Sequence, residues 1–189
     1  MKKFITLVGL VLFSISTFAQ TQWKVDPYHS SLNFYISHSG ISIVNGNFLD
    51  YTGSLSTDGE ALKNASFNYT VEIKSINTNV ADRDNHLRSV DFFEVEKYPN
   101  MSFKSTKMTA TDKPNEYLLY GAHTIKDVTK DVVFNVYYGG TAKREKGEKL
   151  GMKAETTINR FDYNIDHDPA ASGVGKDVII VVHLQFAKQ

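Results

Sequence analysis

Residues 67–74 read Phe67-Asn68-Tyr69-Thr70-Val71-Glu72-Ile73-Lys74, apolar at every second position. A strand sends alternate side chains to opposite faces, so Phe67, Tyr69, Val71 and Ile73 share one face and Asn68, Thr70, Glu72 and Lys74 the other. One dry face and one wet face is the pattern of an antiparallel sheet, since parallel sheets are usually covered on both sides.

The same alternation extends in both directions. Leu32, Phe34 and Ile36 alternate with Ser31, Asn33 and Tyr35, and strand patterns recur over 101–108, 116–125 and 152–158. Val132, Phe134, Val136 and Tyr138 share a face of another strand. Asn45-Gly46, Asp58-Gly59 and Lys113-Pro114-Asn115 predict turns, and Phe48, Tyr51 and Leu55 occupy a bent extended segment. Gly139-Gly140 is expected to end the strand before it, with the charged stretch 143–149 as a solvated hairpin tip. The loop 159–175 is rich in Asp, Ser and Gly. The last strand, 178–186, is apolar at both parities through Val182, which predicts cover on both faces there, from the helix near Arg83 or from a neighbouring loop.

These segments make about eight strands and an all-β chain, which suits an eight-stranded antiparallel β-barrel better than an open sheet. A barrel of that size is filled by side chains or holds one small ligand. Alternation by itself favours the filled core.

One stretch departs from the strand pattern: DRDNHLRSVDFFEVEKYP, 82–99. It predicts a short helical insertion near residues 80–95, with Asn79 as N-cap and an Asp84/Arg88 pair one turn apart. Its apolar stripe would be Val80, Leu87 and Val90, and Arg83 completes that stripe with His86 on its flank. A guanidinium on the packed side implies either a buried ion pair or a ligand contact.

Lys2 and Lys3 precede the apolar run 4–13, followed by Thr17-Phe18-Ala19. This is the pattern of a secretory signal peptide over 1–19, cleaved after Ala19, and it predicts a periplasmic or secreted protein. The run is too short to span a bilayer, so no transmembrane segment is expected in the mature chain 20–189. Loss of the two lysines leaves 19 basic against 21 acidic residues, a net charge of −2. Such a balance offers no footprint for nucleic acid. The mature chain is one domain in size, and with no Cys it must hold by packing and strand pairing alone. A homodimer is left open.

Residue types for catalysis are present without their patterns. Ser30 and Ser31 adjoin His29, but no Gly-x-Ser-x-Gly occurs. His29 and His38 flank a strand while His123, His167 and His183 are scattered, and no zinc-ligand spacing appears. We expect no catalytic residues, no metal and no cofactor.

Several stretches together resemble the YceI-like family of exported, lipocalin-like proteins. They are Trp23-Lys24-Val25-Asp26-Pro27-Tyr28-His29-Ser30-Ser31, Gly46-Asn47-Phe48, Ser75-Ile76-Asn77-Thr78, Arg83-Asp84-Asn85-His86-Leu87-Arg88, Phe92-Phe93, Tyr98-Pro99, Thr124-Ile125-Lys126-Asp127-Val128-Thr129-Lys130 and Ile158-Asn159-Arg160-Phe161-Asp162-Tyr163. His123 stands where the family commonly has an apolar residue, and Asp127, Asp131 and Asn164 replace its Gly, Pro and Gly. The resemblance implies an extended barrel with a long apolar cavity and a non-enzymatic protein that carries a long-chain isoprenoid, or a similar quinone-like or fatty-chain amphiphile. Its expected lining is Phe34, Ile36, Phe67, Tyr69, Val71, Ile73, Leu87, Phe92, Phe93, Phe103, Phe134 and Val136, with Arg83, His86 and Arg160 as head-group donors. Two rivals remain at this level: an enzyme using Asp82, Arg83 and His86 on an isoprenoid or quinone-like substrate, and a filled barrel serving as a protein-interaction module.

Overall fold

A computed structural model describes residues 20–59 and 61–189. The signal peptide expected over 1–19 lies outside the described residues. Among the described residues there are eleven strands: β1 (Thr21–Val25), β2 (Ser31–His38), β3 (Ser42–Phe48), β4 (Tyr51–Thr57), β5 (Ser66–Glu72), β6 (Ile76–Asn77), β7 (Asn100–Ala110), β8 (Glu116–Ile125), β9 (Val128–Arg144), β10 (Gly147–Asn159) and β11 (Val174–Lys188). One helix, α1 (Ala81–Arg88), follows β6. Among the described residues no helix is long and apolar enough to cross a membrane.

The eleven strands build eight staves. β1 and β2 form one stave broken at the 3-10 turn Pro27–His29, β3 and β4 a second broken at Leu49-Asp50, and β5 and β6 a third broken at the 3-10 turn Ile73–Ser75. The breaks sit side by side: the Leu49 amide donates to the Ser75 carbonyl and the Glu72 amide to the Asp50 carbonyl. Proline, which lacks an amide hydrogen, makes the first break natural. Every neighbouring pair is antiparallel, and β11 closes the ring by pairing with β2 over Val174–His183 and with β1 over Phe186–Lys188. A closed ring leaves no edge among its eight staves.

The 67–74 pattern holds in three dimensions: Phe67, Tyr69, Val71 and Ile73 are buried, and Asn68, Thr70, Glu72 and Lys74 are exposed. Other expectations are corrected. Asn45-Gly46 makes no turn and lies inside β3, where a Cβ on Gly46 would stand 2.4 Å from Cζ of Phe34. The glycine there permits close approach of a ring. β9 does not stop at Gly139-Gly140 but runs on to Arg144, absorbing Gly140 at φ +99° opposite a register shift between Gly151 and Met152. That is a bulge. The outer face of β11 is not covered: Ile179 is 40% exposed.

The helix is also held differently from expectation. Val80 is its N-cap residue, with no side-chain cap, while Asn79 takes φ +62° and donates its amide to Oδ1 of Asn77. Asp84 and Arg88 do not pair. Arg88 donates to the carbonyls of Lys74 and Ile76, and Asp84 is the buried residue of the helix, accepting from Thr78. Val80 and Val90 are 45% and 75% exposed, so of the expected stripe Leu87 alone packs against the core. α1 is attached to the barrel rim by polar bonds to backbone rather than by an apolar face.

Candidate functional site

The barrel interior has two halves. In one, rings fill the space: Phe67 meets Phe186 edge-on at 5.9 Å and Phe103 meets Phe134 at 5.2 Å. Val71, Ile73 and Val136 are buried as well. In the other half lies a cavity of about 260 Å³ between β2, β3, β11 and α1. This falls just below the usual range of ligand pockets, which begins at about 300 Å³. Tyr69, stacked on Phe103 at 5.7 Å, stands at the boundary.

The strand register explains the wall. Inward side chains of β2 face those of β11, with Phe34 opposite Ile180 and Ile36 opposite Val178, and all four line the cavity. Of the residues proposed from sequence, Phe34, Ile36, Tyr69, Arg83, His86, Leu87, Phe92, Phe93 and Arg160 line it. Phe67, Val71, Ile73, Phe103, Phe134 and Val136 do not line it and are buried in the packed core instead. They share the inward parity of the lining residues, and parity carries no information about position along the barrel axis.

Sequence reasoning missed other lining residues, among them Val44, Ile76, Met101, His123, Ile158, Ile165 and His167. Inward parity was available for those on strands. Ile165 and His167 belong to a loop with no periodicity to read.

The polar groups form three sets. Arg83 donates through Nε to the Thr78 hydroxyl at 2.8 Å and through Nη2 to the Thr78 carbonyl at 2.9 Å. Nη1 has no hydrogen-bond partner among the described residues, and Arg83 lines the cavity. Arg160 is 3% exposed and is used differently: its guanidinium donates to the carbonyls of Gly175, Ile165, Asp168 and Val174 at 2.6–3.1 Å. Four of its five N–H groups thereby tie the 164–175 loop, leaving little for a head group.

His86 lies 2.8 Å from Oδ2 of Asp91, and folding carries His167 to within 5.0 Å of the His86 ring, centroid to centroid, with Phe92 against both. Of the histidines scattered in sequence, His167 thus reaches His86. Ligand atoms of His86, Asp91 and His167 all lie within 4.8 Å of one another, donor types that could hold a metal ion. A tetrahedral zinc site needs ligand separations of about 3.3 Å, whereas His86 and Asp91 are joined directly at 2.8 Å, so a metal would have to replace that hydrogen bond.

The third set is buried. His123, at 0% exposure, has Nε2 3.3 Å from the Tyr69 hydroxyl and Nδ1 3.5 Å from the Tyr163 hydroxyl. Burial pushes the His123 pKa down to about 4 and that of Tyr163 up to about 12, and raises Tyr69 as well. Desolvation disfavours the charged form in each case, so all three groups are neutral at pH 7. Beside His29, whose Nδ1 lies 3.2 Å from Oδ2 of Asp26, the Ser30 hydroxyl donates to the Asp26 carbonyl at 2.8 Å.

Comparison with known proteins places this arrangement. The profile of the YceI-like domain matches residues 23–186. A UPF0312 protein of Photorhabdus laumondii is 33% identical over 184 residues, covering 94% of this chain and 95% of its own. Another from Shewanella baltica is 34% identical over 188 residues, covering 95% and 97%. Among solved structures, a YceI protein of Campylobacter jejuni superposes with a TM-score of 0.72 at 27% identity, covering 100% and 99%. A polyisoprenoid binding domain from Saccharophagus degradans superposes with a TM-score of 0.66 at 17% identity, covering 88% and 98%, and shares the fold.

Proposed function

The chain belongs to the YceI-like family, and from that premise we propose that it is an exported carrier that sequesters one long isoprenoid or comparable aliphatic amphiphile, without catalysis. The observation that carries this reading is the half-empty barrel: a closed apolar tube in which β2 and β11 supply facing aliphatic and aromatic side chains and no ring fills the space between them. Each methylene withdrawn from water contributes about 0.8 kcal/mol, so an extended chain binds well with few polar contacts. Arg83 and His86 both line the cavity and would meet a polar head, and an anionic one suits the guanidinium. The polyisoprenoid-binding relative of the same fold and the secretory pattern over 1–19 support the ligand class and the export.

Native mass spectrometry of the protein purified without detergent tests the reading. A co-purified lipid of defined mass, identified after denaturing extraction, is the expected result. Repeated absence of any ligand, together with failure to take up added isoprenoid chains, overturns it.

A further inference from the structure

We propose that the Tyr69 hydroxyl is a single hydrogen-bond donor in the buried wall of the cavity, fitted to an aliphatic amphiphile bearing a carbonyl acceptor (ketone, quinone, ester or amide) rather than to a bare hydrocarbon chain. The inference rests on the carrier reading above and specifies its ligand class.

It follows from counting hydrogens. Neutral imidazole has one N–H and one acceptor nitrogen, and each phenol has one O–H. Tyr69, His123 and Tyr163 therefore hold three polar hydrogens, but only two contacts join them, Tyr69 to Nε2 and Tyr163 to Nδ1. Neither phenol has another hydrogen-bond partner among the described residues, so one phenolic hydrogen is left over.

The tautomer decides which. If Nδ1 carries the proton, it donates to Tyr163 and Nε2 accepts from Tyr69. The spare hydrogen then belongs to Tyr163, which is 1% exposed and does not line the cavity. A buried donor without an acceptor is costly. If Nε2 carries the proton, it donates to Tyr69, Nδ1 accepts from Tyr163, and the spare hydrogen belongs to Tyr69, which lines the cavity. Only this tautomer lets a ligand complete the set. The stacked Phe103 ring fixes the tilt of Tyr69, so the donor has a defined direction.

The experiment uses the mature protein and two probes of equal chain length, 2-tridecanone and tridecane, each titrated against a displaced fluorescent probe. Wild-type protein is expected to bind the ketone about three- to tenfold more tightly than the alkane, the span of a neutral hydrogen bond. Tyr69→Phe is expected to abolish that preference, bringing the ketone down to the affinity of the alkane, while its urea midpoint reports that the fold is intact. Equal wild-type affinities overturn the inference, as does a Tyr69→Phe variant that keeps the preference. If Tyr69→Phe does not fold, the wild-type ratio alone decides. Uptake of neither probe overturns the carrier reading itself, and the inference with it.

Discussion

The Thr78 hydroxyl is shared between Arg83 and Asp84: it accepts from Nε of Arg83 at 2.8 Å and donates to Oδ1 of Asp84 at 2.5 Å. The Thr78 amide adds a second bond to the same carboxylate at 2.9 Å, and both Thr78 and Asp84 are buried. One small side chain thus anchors the first turn of α1 to the barrel and aims the arginine at the cavity. Thr78→Val keeps the shape and removes the hydroxyl. Bonds to charged groups are worth about 1.5–3 kcal/mol, so a loss of about 2 kcal/mol is expected in urea denaturation, with Thr78→Ser close to wild type. A Val variant as stable as wild type would show that the anchor lies elsewhere.

The buried imidazole of His123 sets a pH dependence. Its folded pKa of about 4 lies below the ordinary value near 6.5. Between these values the unfolded chain takes a proton that the folded one refuses, so stability is fully present above about pH 6.5 and is lost as pH falls toward 4. The difference amounts to about 3 kcal/mol at most. His123→Phe removes the contribution. Urea midpoints at pH 7 and pH 4.5 should therefore diverge less for the variant than for wild type, and equal divergence would refute the assignment.

The barrel was legible in sequence because period-two alternation reports directly which side chains face inward, and 67–74 reads correctly residue by residue. The cavity was less so. Phe34 and Phe67 have the same parity and the same chemistry, yet one lines open space and the other is packed against Phe186. Their difference is position along the barrel axis, which a period of two does not encode. The helix was placed well and its packing misjudged, since a segment held by Thr78, Lys74 and Ile76 backbone groups needs no apolar stripe. His167 reached His86 through a loop, and loops carry no periodic signal.

Gly46 holds the Phe34 ring in the cavity wall. A methyl group there would lie 2.4 Å from Cζ and 2.7 Å from Cε1 of Phe34, and 2.8 Å from Cγ2 of Thr78. The ring must then swing, and the space open to it is the cavity. Gly46→Ala is expected to cost about 1–3 kcal/mol, the usual range for overpacking, and to weaken uptake of a long isoprenol more than that of a short one. Unchanged uptake of both would mean that the ring yields in another direction.

Arg160 should matter for stability more than for affinity. Its planar fork meets carbonyls from both ends of the 164–175 loop, Ile165 at 2.6 Å and Asp168 at 3.1 Å on one side, Val174 at 2.9 Å and Gly175 at 2.8 Å on the other. Phe161 covers its face at 4.3 Å. Lysine keeps the charge but presents one compact ammonium in place of a fork, so it cannot reach four carbonyls at once. Arg160→Lys is therefore expected to destabilise by about 2–4 kcal/mol, since each abandoned buried acceptor costs about 1 kcal/mol or more. Hydrogen exchange should show amides of the 164–175 loop losing protection before those of β8. Because Ile165, His167 and Val174 line the cavity, loosening the loop should speed ligand release. A variant that loses affinity while keeping wild-type stability and loop protection would instead make Arg160 a direct ligand contact.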